Sequence, residues 1–179
     1  MSATSDPRPL TGEPVSLDLL NTRWMHEGTV RDLLTDTDGL AVWLADNRLD
    51  FPADDAVLWH TLQARDALGA VVDGSLTEGA GGVDAVLAHG RVRLTLTTQG
   101  QGESPEFSDP SWGPAWLAAR DYLDLLSTAP DRIRGCAHES CILHFFDTSR
   151  NGTRRWCSMA GCGNRAKASR HYARHTKGD

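Results

Sequence analysis

Cys136-Ala-His-Glu-Ser-Cys141 and Cys157-Ser-Met-Ala-Gly-Cys162-Gly-Asn-Arg165 hold all four cysteines of the chain, in two C-x4-C pairs with fifteen residues between them. Paired cysteines at short spacing, occurring twice, suit a four-thiolate zinc site: each pair grips the metal from one knuckle and the intervening chain folds the two together. The competing reading is two disulfides. It requires an oxidising compartment, and Met1 to Pro9 is polar and proline-containing, without the apolar core of a secretory leader. Cys136, Cys141, Cys157 and Cys162 are therefore the expected ligands of one structural Zn2+.

Working outward, residues 131–179 carry ten Lys/Arg against four Asp/Glu, a net of +6; the whole chain is −6, which leaves −12 for residues 1–130. An acidic body joined to a basic end suggests that the basic end meets a polyanion. The alternative is a basic end folded onto its own acidic body. Apolar content of 40% and charged content of 23% suit a globular protein. No apolar run approaches the roughly 20 residues that span a bilayer, so a cytoplasmic protein without membrane contact is expected.

Between the knuckles, Leu143, Phe145 and Phe146 supply an apolar cluster to pack over the metal. With four thiolates available, His138 and His144 are not needed as ligands. After Cys162 the chain runs from Gly163 to His175 without a helix breaker, and Asn164 is a natural N-cap. At 100° per residue, Lys167, Arg170, His171, Arg174 and His175 fall on one side and Ala166, Ala168, Ser169, Tyr172 and Ala173 on the other. The small side can lie against the metal core and the basic side face DNA, with Arg154 and Arg155 adding backbone contacts. Arg165 falls on the packed side, where Asp147 is the carboxylate expected to pair with it.

Further upstream, Val15, Leu17, Leu19, Leu20 and Trp24 make a short helix plausible within Glu13 to Trp24. Asp18, Asn21 and Thr22 lie inside this apolar stretch. They either cap neighbouring backbone or hold a ligand. Thr37-Asp38 reads as the cap of a helix through Leu49, and Pro52 as the first turn of a helix to about Asp73. Arg65-Asp66 interrupts that helix, as a local ion couple or as an arginine directed at an anion in an interior cavity. Gly79 to Gly82 reads as a flexible connection. Arg91 to Thr98 alternates strictly, with Val92, Leu94 and Leu96 on one side, and predicts a strand whose hairpin partner lies near Ser104 to Phe107. A helix then carries Trp116, Ala119, Leu123 and Leu126 on one stripe.

Together, Cys136-x4-Cys141, Phe146-Asp147-x-Ser149-Arg150, Arg154-Arg155-Trp156-Cys157-Ser158-Met159 and Cys162-Gly163-Asn164-Arg165 resemble the CGNR zinc finger, named for its last four letters. Leu17-Asp18-x-x-Asn21-Thr22 resembles the ABATE domain that usually precedes that finger in bacterial proteins. The resemblance implies a stress-induced bacterial transcription regulator, with a mostly helical sensing domain and a DNA-binding finger whose metal ligands are the four cysteines.

The expected architecture is mainly α with a small β-hairpin: a helical N-terminal domain followed by a four-cysteine zinc-knuckle module ending in a basic helix. Residues 1–12 are expected to be disordered, 13–129 to form the ABATE-like sensing domain and 130–179 the finger. The expected partners are DNA, a second copy in a homodimer, and a small-molecule effector held by Asp18, Asn21, Thr22 and Arg65. The rival function is a zinc-stabilised protein-interaction module without direct DNA contact. An enzyme is not expected. Four thiolates close the metal site, and no HExxH, deaminase-type His-x-Glu, phosphate-cradling glycine loop or nucleophile elbow is present.

Overall fold

The computed structural model describes residues 6–167. The basic helix expected after Cys162 begins, with residues 164–167 helical, but Arg170, His171 and Arg174 lie outside the described residues.

Helix α1, Val15–Leu20, is one and a half turns long and buries Ser16, Leu17, Asp18 and Leu19. It ends before Trp24 because the chain turns into a hairpin, β1 Arg23–His26 and β2 Thr29–Asp32, in which His26 pairs with Thr29. The two-residue loop has Glu27 at φ 50° and Gly28 at φ 76°. Two successive left-handed residues define a type I′ turn, which matches strand twist. Helix α2, Thr37–Asp46, is capped by Asp36, whose carboxylate accepts from the Gly39 N–H at 2.9 Å. Helix α3, Asp55–Gly69, is capped in the same way by Asp54 on the Val57 N–H. Asp36 directly precedes the expected cap, whereas Pro52, expected in the first turn of α3, lies before that helix.

α3 runs on as a π-helical turn, Ala70–Gly74, before helix α4, Leu76–Leu87. Gly79 to Gly82 is thus helical, not a flexible connection. A Cβ on Gly79 would stand 2.7 Å from the Val71 nitrogen, so glycine is what lets α4 approach the π-helical turn. The long hairpin follows, β3 Gly90–Thr97 and β4 Gly100–Phe107, paired residue by residue from Gly90–Phe107 to Thr97–Gly100. Helix α5, Gly113–Thr128, buries Ala115, Trp116, Ala118, Ala119 and Tyr122 against α1, α3 and α4. Leu123, expected on the packed stripe, is exposed. Strands β5, Ile133–Gly135, and β6, His144–Phe146, form a third antiparallel pair. The chain is mainly helical as expected, but it holds three small strand pairs where one hairpin was expected.

Leu19, Trp43, Val57, Leu68, Ala119, Leu143, Phe145, Cys157 and Cys162 belong to one buried cluster. The cysteine segment therefore shares its core with the helical body. Residues 6–12, expected to be disordered, are anchored to that body. The buried Arg8 reaches the Asp18 carboxylate at 2.6 Å and also meets Asp6 and Asp46.

Candidate metal centre and its supports

Antiparallel pairing of β5 and β6 places Cys136 just after one strand and Cys141 just before the other, and the Cys136 N–H donates to Leu143 O at 2.8 Å. In the second pair, Cys157 precedes a π-helical turn, Met159–Gly163, and Cys162 lies within it. The Ser158 hydroxyl caps it by accepting from the Gly161 N–H. The four sulfurs lie within 4.8 Å of one another. Cys141 Sγ is 3.8 Å from Cys157 Sγ, which is 3.6 Å from Cys162 Sγ.

A disulfide holds its sulfurs at about 2.05 Å, and all four cysteines are free. A Zn–S bond of about 2.3 Å at tetrahedral angles sets a sulfur–sulfur edge of about 3.8 Å. The cluster thus has the spacing, donor set and number of one closed structural zinc site. Its electrostatics point the same way. Hydrogen bonding from Cys157 pulls the Cys141 thiol well below its ordinary range. The same contact, with burial and the charge of Cys141, drives Cys157 upward. Four adjacent thiols cannot all ionise unless a cation neutralises them. The Cys157 N–H donates to Cys136 Sγ and Arg165 Nη2 to Cys162 Sγ at 3.1 Å, the supporting contacts a thiolate needs. Leu143 and Phe145 pack into the core beneath the site, as expected, and Phe146 is half-buried.

Arg165 therefore does not pair with Asp147. Its guanidinium turns to a sulfur that carries charge once a metal is bound. Asp147 is buried and closes the loop that follows it. Its oxygens accept from the Ser149 and Arg154 N–H groups, with Arg134 at 3.9 Å. Burial pushes its carboxyl up, but these donors outweigh burial and hold it below the ordinary carboxylate range. Arg154, expected at a DNA backbone, is used internally. Nε donates to Trp156 O and Nη2 to Cys157 O and Glu13 Oε1, with the guanidinium 4.1 Å from the centre of the Phe145 ring. Arg155 and Lys167 are exposed, and Arg155 lies over Trp156. His138 accepts from the Ser140 N–H, and His144 Nε2 lies 2.8 Å from Asp73 Oδ1 in the π-helical turn after α3; neither touches the sulfurs.

Asp18, Asn21, Thr22 and Arg65 are buried, and apart from Arg65 Nε, which is buried without a partner, their polar groups face protein partners. Asp18 accepts from Arg8, Asn47 and the Gly12 N–H. Thr22 Oγ1 donates to Leu19 O and accepts from Arg65, which forks onto both oxygens of Asp32 at 2.7 and 2.8 Å. The anion for Arg65 is thus the chain's own Asp32, and Asp66 pairs at the surface with Arg23. Asn21 Nδ2 donates to His144 O and Asn21 Oδ1 accepts from the His144 N–H, both at 2.8 Å. Cavities beside α4, at the base of the long hairpin and beside the cysteines are lined by other residues.

Asn21 and Glu13 together close the free edge of β6. Phe145 pairs with Arg134 of β5, so the His144 and Phe146 amides point away from β5. Asn21 takes the first and Glu13 Oε2 the second, at 2.9 Å. The sequence singled out Asn21 for another role and gave no signal for Glu13, because the edge these side chains cover forms only in the fold. Burial lifts the Glu13 carboxyl above its ordinary value of 4.5, although the Phe146 N–H and Arg154 oppose it and Asp18 adds to it. A raised folded pKa contributes stability below the unfolded value that is lost as pH rises through the folded one. The stability of the wild type relative to Glu13→Gln is therefore expected to fall as pH is raised from about 4 to 7. At pH 7 the two melting temperatures should agree within about 2 °C. Calorimetric melts across this range check it, and a relative stability that climbs with pH would contradict the assignment.

These features define a helical protein that carries a closed four-thiolate centre on its C-terminal side. Residues 132–175 match the CGNR zinc finger family, and residues 13–129 match the ABATE family, described as "Putative stress-induced transcription regulator". The chain belongs to the ABATE family, with a CGNR zinc finger following in the same chain. A search of curated proteins finds no match.

Proposed function

We propose that the chain is a non-enzymatic, DNA-binding transcription regulator acting in the bacterial cytoplasm as part of a stress response. In this reading, residues 13–129 form the sensing part and residues 130–179 the DNA-binding part. The observation that carries it is the division of charge: +6 over residues 131–179 against −12 over residues 1–130. Such a basic segment suits a phosphate backbone, and the acidic body disfavours any other face. The zinc centre fixes where that segment leaves the body. Arg155, Lys167, Arg170, His171 and Arg174 are the proposed contacts. Arg154 is omitted because its donors are engaged inside the fold. One such module supplies few contacts, so a homodimer on two half-sites is part of the proposal.

The test is fluorescence anisotropy of the zinc-loaded protein against its own promoter DNA at 50 and 200 mM salt. Affinity is expected to fall by roughly two to three orders of magnitude between the two. Replacing Arg155, Lys167, Arg170 and Arg174 with alanine should abolish most binding and flatten the salt dependence. Equal binding by both proteins sinks the proposal. Capture of a protein in place of nuclease-sensitive DNA would favour an interaction module.

A further inference from the structure

A groove of about 480 Å³ runs between α4 and α5, walled by Val71, Leu76, Val83, Leu87, Tyr122 and Leu126. Leu76 and Leu123 at its rim are 57% and 40% exposed. A Cβ on Gly81, which lines the groove, would meet nothing within 4 Å. Two polar groups interrupt the apolar wall: the Asp84 carboxylate, on an exposed stretch of α4, and the Tyr122 hydroxyl. Among the described residues neither has a hydrogen-bond or ion-pair partner, whereas the carboxylates of Asp18, Asp32 and Asp147 are all engaged.

An apolar groove of ligand size with a few convergent polar groups is the usual form of a small-molecule site. Here the sign of the charge narrows the ligand. The carboxylate has no cation facing it, and residues 1–130 carry a net −12, so the surrounding field gathers cations and repels anions. We propose that the groove between α4 and α5 binds a hydrophobic organic cation, its apolar body between the two helices and its charge at Asp84. This rests on the sensing role proposed above and gives that role a site, distinct from Asp18, Asn21, Thr22 and Arg65. Val71 lines the groove, and Asp73, two residues on in the same π-helical turn, meets His144 of β6. A ligand there therefore touches the turn that also holds the zinc module.

The test needs no DNA, so it stands or falls apart from the DNA-binding proposal. Isothermal titration of the full zinc-loaded chain compares tetraphenylphosphonium with tetraphenylborate, of matched shape and opposite charge. The cation is expected to bind once per chain and at least about tenfold more tightly than the anion. Asp84→Asn should weaken the cation about fivefold and leave the anion unchanged or tighter. Gly81→Leu fills the open space and should abolish binding of the cation while leaving the melting temperature unchanged or higher, since glycine is a poor helix residue. Equal affinity for both ions, or undiminished binding to a folded Gly81→Leu, overturns the proposal. Binding that appears only together with dimerisation would assign the groove to a second copy and overturn it equally.

Discussion

Removing the metal with a strong chelator, or replacing Cys162 with serine, is expected to unfold the segment from β5 to the π-helical turn that holds Cys162 and to lower the melting temperature by roughly 10 °C or more. The size of the effect follows from how little regular backbone pairing the segment has of its own. β5 and β6 are three residues each, and the loops between them carry little backbone pairing. Structural zinc in finger peptides supplies about 10 to 16 kcal/mol of apparent binding energy, which in such modules is folding energy. Without the cation, burial and mutual hydrogen bonding disfavour the charges on Cys157 and Cys162, so the sulfurs no longer hold together.

The loss should not stop at the module. Cys157, Cys162, Leu143 and Phe145 share the buried cluster with Val57, Leu68 and Ala119. Zinc content should drop from one per chain to none, and amide exchange should rise first in β6 and then in α1. Cys136→Ser is expected to be milder than Cys162→Ser, because Cys136 is only half-buried whereas Cys162 is 2% exposed. A chelated protein with unchanged amide exchange and melting temperature would show that the module stands without its metal.

Much of this centre is legible in the sequence because its determinants are local. Cysteine spacing fixes the ligand set whatever the surroundings, and Leu143 and Phe145 lie between the two cysteine pairs in sequence. Helices α2 and α3 are legible as helices, but their caps are not: Asp36 stands one residue before the expected Thr37, and Asp54 two residues after the Pro52 expected in the first turn. The first hairpin is harder to read, since Glu27-Gly28 is a weaker turn signal than Asn-Gly and its strands are only four residues long. Gly79 to Gly82 suggests a linker because glycine usually breaks helices. Here close approach to the Val71 backbone needs a residue without a side chain, and tertiary contact overrides propensity. Partner choice is the least legible. Arg165 and Asp147 are sensible partners on a helical wheel, yet the wheel holds no information about a sulfur nearby. Asp18, Asn21 and Thr22 are correctly marked as polar groups needing partners, and Thr22 does cap the nearby Leu19 carbonyl, but their other partners Arg8, His144 and Arg65 lie 10, 123 and 43 residues away in sequence.

That distance is why Asn21→Ala should be damaging out of proportion to the atoms it removes. It leaves the His144 N–H and C=O without partners in a buried place, at about 1 to 3 kcal/mol each, so roughly 4 kcal/mol in all. For a chain of this size that corresponds to a fall of roughly 10 °C in melting temperature. Asn21→Asp should do no better. It keeps an acceptor for the N–H but turns a carboxylate oxygen toward the His144 carbonyl, and buries a charge with no cation beside it. Zinc should stay bound in both variants, because Asn21 touches no cysteine. What is lost is the joint between the helical body and the finger. Amide exchange at His144 and Phe146 should therefore rise while Cys136 and Cys157 remain protected. If Asn21→Ala melts within about 2 °C of the wild type, β6 is held by packing of Phe145 and Leu143 alone, and the motif Leu17-Asp18-x-x-Asn21-Thr22 does not join the two modules.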